Sequence, residues 1–298
     1  MESFENLSTR ITCPLDGSKA SECNWKKRQG EVRDFNGVGV VECNSCGLVT
    51  HERDLSAEVK YQAGTMHNWA SQYGGILENP IEDISRRVNE INLLSNRYKI
   101  DTILDYGSGA GEMLRALSEF YEVHGLEPED NSRNIAESFG FNVYRDYDEA
   151  KQSASKFSLV TLFHVVEHFY DPAKELKRIY NLLKPNGLIV IETPNANDAL
   201  LNLFNNIGFQ KFTYWSHHPM LHSSKSLTEV IRSNGFSIIE STLKQRYGLA
   251  NHLYWLSNAK PGGHMIWGEL FPKSEFKNYD HKLIEIGSAD TLWFVAQK

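Results

Sequence analysis

Cysteine is missing from residue 47 onward. The chain has 298 residues and four cysteines, Cys13, Cys23, Cys43 and Cys46, all near one end. A fold stapled throughout by disulfides is therefore excluded. Also missing is any apolar run near the roughly 18 residues that cross a bilayer, so no membrane span is expected. The opening MESFENLSTR carries acids where a secretory leader has an apolar stretch, and the expected compartment is the cytoplasm. A basic surplus is missing too, with a formal net charge of −7. Phosphate binding normally shows as basic excess, so nucleic acid is not an expected partner. No internal repeat or low-complexity tract interrupts the chain.

What is present divides into three parts. The cysteines mark a head, residues 1–60. Residues 61–98 hold a stretch rich in Gly, Tyr and Trp, YQAGTMHNWASQYGGILEN, and then a helix. Asn79 and Pro80 supply that helix's cap and first turn. Ile81, Ile84, Val88, Ile91 and Leu94 lie on one helical face. Residues 99–298 form the main domain. There, strand-like DTILDYG, YEVHGLEP, FNVYRD, KFSLVTLFHVVEHF and GLIVIETPN alternate with helical segments. Such alternation predicts an α/β fold, a parallel sheet with helices on both faces. Ser226 and Glu229 fit a capping box for SLTEVIRSNGF. FSIIEST and the final DTLWFVAQK read as strands. Residues 251–282 show no regular helical pattern, so these two strands are expected to pair antiparallel at the sheet edge.

The glycine turn in ILDYGSGAGEML, residues 103–114, follows the first strand of the alternation. Ligands of open parallel sheets bind beyond the carboxyl ends of strands. The dinucleotide fingerprint is G-x-G-x-x-G, and Glu112 stands where its third glycine belongs. A carboxylate there is a poor neighbour for a pyrophosphate and a tolerable one for a cationic sulfur. Glu127 ends the next strand, where a carboxylate can accept two hydrogen bonds from a ribose diol.

With LDYGSGAGEML, GLEPED, LFHVVEHFYDPAKELKRIYNLLKPNGLIVIETPN and HSSKSLTEVIRSNGF in this order, the chain resembles the class I S-adenosylmethionine-dependent methyltransferases over about residues 101–240. The likeness is nearest to small-molecule enzymes of the ubiquinone-biosynthesis and sugar-modifying kind. It implies a Rossmann-like, seven-stranded, mostly parallel sheet with an antiparallel last strand. By position it implies that Asp105, Gly107 and Gly109 line the methionine and ribose end, that Glu127 binds the ribose hydroxyls, and that Asp146 and Tyr147 lie near the adenine. Phe163 and His164 would lie near the methionine part or the acceptor.

Methyl transfer to oxygen needs alignment and a base within reach, and histidine suits the base. His164 and His218 are the expected catalytic residues. His168 is expected in a packing role, and His222 precedes a helix start. QRYGLANHLYWLSNAKPGGHMIW, dense in Tyr, Trp, His and Asn, suits recognition of a polar ring. The expected reaction is methylation of a hydroxyl on a small, sugar-like acceptor: a sugar, nucleotide-sugar or surface-glycan precursor of polysaccharide biosynthesis. The alternative is an RNA base methyltransferase whose head grips RNA. A third possibility is a cofactor-binding scaffold without turnover.

The head carries Cys43-Asn-Ser-Cys46 followed by Gly47, the spacing of a zinc knuckle. Its other half is irregular, with Cys13 and Cys23, and Asp16 or His51 as substitutes. Four cysteines confined to one short segment favour a zinc-ribbon-like head with structural Zn²⁺ held by Cys13, Cys23, Cys43 and Cys46, and no chemistry at the metal.

Overall fold

A computed structural model of the chain describes residues 24–59, 80–153, 156–270 and 272–298. Two sheets organise it. The smaller has four strands in the order β1-β2-β3-β9: β1 Trp25–Glu31, β2 Gly39–Cys43, β3 Val49–His51 and β9 Met220–Leu221. All its pairings are antiparallel. The head's strands therefore join a strand from the far side of the chain. Trp25, Val41, Cys43, Cys46 and Leu48 share one apolar core with Tyr106, Leu162 and Ile191 of the main sheet.

The main sheet has seven strands: β4 Thr102–Tyr106, β5 Glu122–Leu126, β6 Asn142–Tyr144, β7 Phe157–Phe163, β8 Leu183–Pro194, β10 Ser237–Lys244 and β11 Thr291–Gln297, in the order β10-β11-β8-β7-β4-β5-β6. The pairs from β8 across to β6 are parallel, and β11 runs antiparallel to both β8 and β10. This is the α/β, Rossmann-like arrangement expected. The strand order reverses at β4, so a crevice opens beyond its carboxyl end.

Helix α1, Pro80–Ser95, packs Ile84, Val88, Ile91 and Leu94 on one face of the sheet, with Ile103, Leu159 and Trp293. Ile81, expected on that face, is 77% exposed. Three short helices follow strands β4, β5 and β6: α2 Glu112–Leu117, α3 Asp130–Ser138 and α4 Tyr147–Gln152. After β7 comes a single 3₁₀ turn, Val166–His168, and then α5, Pro172–Leu182. Asp171 caps α5 by accepting the Lys174 N–H, and Pro172 occupies the first turn, where a missing N–H costs nothing. Beyond β8 lie α6 Ala199–Asn202 and α7 Ile207–Thr213.

Two sequence expectations need correction here. The capping box of α8, Ser224–Ser233, is made by Ser223 and Ser226, not Ser226 and Glu229. The region expected to lack helices holds α9 Leu249–Asn258, α10 Gly263–Ile266 and α11 Lys273–Glu285. In α9 the polar Asn251 and His252 are buried beside Tyr254 and Trp255, which erases the amphipathic stripe. Helix α11 is polar over most of its surface and buries Leu283. Among the described residues, no helix is long and apolar enough to cross a membrane.

Candidate active site

The glycine turn after β4 is held from below. Gly107 and Ser108 both donate to the Leu126 carbonyl, at 2.7 and 3.1 Å. Gly107 has φ +81°, and a Cβ there would sit 2.6 Å from Val165 Cγ2. A side chain is thus excluded twice, by conformation and by space. Gly109 has φ +54° and forms part of a cavity wall; a Cβ there would meet nothing closer than 3.9 Å.

That cavity, about 440 Å³, lies at the crevice of the main sheet. Its wall includes Gly107, Gly109, Glu127, Asp146, Tyr147 and Phe169. Glu127 is positioned by two backbone donors. Gly109 N–H reaches Oε2 at 2.9 Å and Glu129 N–H reaches Oε1 at 2.8 Å. A carboxylate has about four lone-pair sites, so each oxygen keeps one for a ligand. Burial raises the Glu127 pKa, and the two backbone bonds oppose that rise without cancelling it. Asp146 caps α4 through the Glu149 N–H, and Tyr147 opens that helix with the Arg178 guanidinium 5.2 Å from its ring centre.

Two expected site residues fall outside the cavity wall. Asp105 lies buried under the turn and accepts the Thr161 hydroxyl at 2.7 Å. Burial lifts its pKa to about 6. Phe163 is on the opposite face of the sheet, with Leu159 in the core beneath α1. Its ring stacks on Trp293 and carries the Arg87 guanidinium at 4.6 Å. The two-residue period of β7 puts Phe163 with Leu159 and not with Val160 and Leu162.

A second cavity, about 350 Å³, adjoins the first. Its aromatic walls are Phe209, Phe212, Trp215, Tyr247 and Trp255. Polar groups are fewer and come from several elements. Asn195 and Asp198 follow β8, and Asn251 and His252 lie on α9. The stretch expected to recognise an acceptor thus does line a cavity. Asp198 is buried, caps α6 through the Leu200 N–H, and has its pKa raised well above the usual carboxyl range by burial and then by Asp290. Arg246 is the only Lys or Arg among the described lining residues, and it is paired with Asp83 of α1.

His164 and His168 line both cavities, and no other described residue does. His164 sits at φ +56°, its N–H donating to the Glu192 carbonyl at 2.8 Å. Its Nδ1 lies 3.2 Å from Glu167 Oε1, and its Nε2 lies against Arg246 Nη1, with Glu192 Oε1 at 3.4 Å. Burial and the Arg246 cation lower its pKa, but the Glu167 and Glu192 carboxylates outweigh them and raise it. The charged ring suits Glu192, and the neutral ring suits Arg246, which can only donate. In either state both nitrogens are engaged. Glu167 is buried; burial raises its pKa, but the hydrogen bond and charge of His164 outweigh that and draw it down to about 2. Thr193 Oγ1 donates to its second oxygen at 2.8 Å.

His218 lines the second cavity, its Nδ1 3.1 Å from the Thr213 carbonyl. Burial, then the His168 charge, push its pKa down to about 3. His222 is fully buried with Nδ1 3.2 Å from Ser226 Oγ.

The cysteine turn is described in part. Cys43 and Cys46 are buried and flank the turn between β2 and β3. Gly47, at φ +73°, donates back to the Cys43 carbonyl. Cys13, Cys23 and Asp16 lie outside the described residues. His51 pairs with Val40, three positions along β2 from Cys43, or about 10 Å. Its Nε2 lies 3.1 Å from the Trp215 carbonyl, so the cysteine turn does not hold it. Among the described residues, no group of three or more His, Cys, Asp or Glu side chains is placed to hold a metal.

The family model described as a methyltransferase domain matches residues 76–241, more than half of the chain. The chain belongs to the methyltransferase-domain family. The chain is 30% identical over 131 residues to a ubiquinone biosynthesis O-methyltransferase of Bradyrhizobium diazoefficiens, a match covering 42% of this chain and 50% of that protein. A protein of the same name from Acinetobacter baylyi is 27% identical over 172 residues, covering 52% of this chain and 71% of the relative. The chain thus spans about half the length of the Bradyrhizobium relative. Among solved structures, a SAM-dependent methyltransferase from Archaeoglobus fulgidus superposes with TM-score 0.53 at 16% identity, covering 78% of this chain and all of that one. The plantazolicin methyltransferase BamL, solved with SAH and a triazolic desmethylPZN analog, superposes with TM-score 0.50 at 13% identity, covering 78% of this chain and 89% of that one. Both likenesses concern the fold.

Proposed function

We propose that this methyltransferase moves a methyl group from S-adenosylmethionine to a hydroxyl oxygen on a small ring-bearing acceptor. The carrying observation is a pair of adjoining cavities that share His164 and His168. When bound, S-adenosylmethionine supplies a methyl group on a cationic sulfur. The residues of the first cavity suit it. Glu127 keeps free acceptor sites for a ribose diol, Gly107 and Gly109 leave backbone bare against the ligand, and Asp146 and Tyr147 are set for the adenine. Asp105 supports the turn from beneath. In the second cavity, five aromatic rings suit a flat acceptor, and Asp198 can bind a hydroxyl donor.

The sugar-like acceptor expected from sequence is one such ring, and a phenol is another. The aromatic walls and the O-methyltransferase names of the relatives favour the phenol. An RNA base is not favoured, since Arg246, the only Lys or Arg among the described residues lining the second cavity, is already paired with Asp83.

Calorimetric titration with S-adenosylmethionine tests the first half: heat of binding is expected, and its absence overturns the reading. Transfer of a labelled methyl group to catechol, set against UDP-glucose, tests the second. Binding without transfer to any acceptor would leave the non-catalytic scaffold in its place. A structural zinc in the head is part of the same proposal. The spacing of Cys43 and Cys46 and the turn closed by Gly47 suit half of such a site. Metal analysis of the full chain is expected to find about one equivalent of zinc, and a zinc-free protein overturns it.

A further inference from the structure

We infer that His168, rather than His164 or His218, is the general base that deprotonates the acceptor hydroxyl. This deepens the methyl-transfer reading and rests on it. The 3₁₀ turn Val166–His168 fixes the ring just past the end of β7. Nδ1 of His168 lies 2.6 Å from the His217 carbonyl. A carbonyl only accepts, so Nδ1 carries the proton and Nε2 carries the lone pair. No described group bonds Nε2, and the residue lines both cavities. A base must stand where acceptor and methyl donor meet, and His168 stands there.

The two other histidines are each disqualified by their surroundings. Both ring nitrogens of His164 are engaged, by Glu167 on one side and by Arg246 and Glu192 on the other. His218 touches the acceptor cavity alone, and burial has made it a very weak base. Its ring centre lies 4.9 Å from that of His168. The titratable groups acting on His168 are Glu167 from its own turn and His217 and His218 from the segment before β9. Glu167, anchored by His164 and Thr193, supplies a fixed negative charge nearby. That charge stabilises an imidazolium formed at His168.

The step balances without a further reagent. Nε2 takes the proton of the acceptor O–H. The freed oxygen pair forms the new bond to the methyl carbon, and the electrons of the breaking C–S bond stay on sulfur. The imidazolium then releases its proton to water.

The test compares wild type and His168→Gln on catechol and on a nitrocatechol, whose phenol is already largely ionised near neutral pH. Turnover of catechol is expected to fall about 10²- to 10⁴-fold, and turnover of the nitrocatechol much less. Binding of S-adenosylhomocysteine, followed by calorimetry, checks that the variant is folded. Equal losses on both acceptors, or no loss, overturn the assignment. Independently of turnover, heteronuclear NMR of the wild-type imidazole nitrogens is expected to show His168 protonated on Nδ1 and bare on Nε2. The opposite tautomer overturns the assignment, whether or not catechol is an acceptor. Wild-type protein that binds no S-adenosylhomocysteine overturns the methyl-transfer reading itself. Wild type that methylates catechol while His168→Gln keeps pace overturns only the role of His168.

Discussion

Glu127 joins the glycine turn to the strand beside it, because one oxygen takes the Gly109 N–H and the other the Glu129 N–H. Glu127→Gln keeps one acceptor and sets an amide N–H₂ against a backbone donor. Binding of S-adenosylhomocysteine, read by calorimetry, is expected to weaken about tenfold or more, or about 1.4 kcal/mol. Asp105 offers a pH-dependent test. Its folded pKa of about 6 stands above the ordinary aspartate value of 3.8, burial being the main cause and the Thr161 bond opposing it. The folded state therefore holds this proton more tightly than the unfolded state. The stability this confers is complete below about pH 4 and falls away as the pH rises to about 6. Asp105→Asn has no proton to lose. Relative to the variant, wild type is expected to lose about 2–3 kcal/mol of unfolding free energy across that window, measured by urea titration at each pH. At this scale the sequence spoke unevenly. Glu127, Gly107 and Gly109 were legible because strand order and glycine geometry fix them. The roles of the histidines were not, because a tautomer depends on carbonyls far away in the chain, His217 for His168 and Thr213 for His218. For Phe163, the alternation of β7 was visible but not which face would meet the cofactor crevice.

Helix α1 is pinned to the sheet by charge as well as by its apolar face. Glu192, fully buried at the end of β8, accepts from Arg87 at 2.6 Å and faces Arg86 at 2.8 Å. Arg246 of the loop after β10 meets Asp83 of the same helix. Removing the central carboxylate leaves buried guanidinium groups unpaired. Glu192→Ala is expected to destabilise the protein by about 3–5 kcal/mol, seen as a lower denaturation midpoint. Elements with a strong period were readable in advance: the strands of the parallel sheet, and α1 with its apolar face. Helices α9 and α11 were not. One buries polar side chains and the other buries little, so neither shows the apolar stripe from which a helix is read.

The head and the main sheet share one apolar core, with Trp25, Val41 and Leu48 beside Leu162 and Ile191. The described strands of the head and the seven-stranded sheet are therefore expected to unfold together. Tryptophan fluorescence and far-ultraviolet circular dichroism should give coincident denaturation curves, and separated midpoints would show an independent head. The seven-stranded, mostly parallel sheet with its antiparallel last strand was legible through the family likeness. The seam between β3 and β9 was not, because a two-strand contact with no local signal joins distant segments. That seam has a consequence for synthesis. Thr50 donates to the Pro219 carbonyl 169 positions later, so the hairpin of β2 and β3 leaves the ribosome long before its neighbour exists. At about 5–20 residues per second the wait is on the order of 10–30 seconds. Through that interval one edge of β3 is open to any passing strand, and the nascent chain is most exposed to mispairing there until β9 arrives to close it.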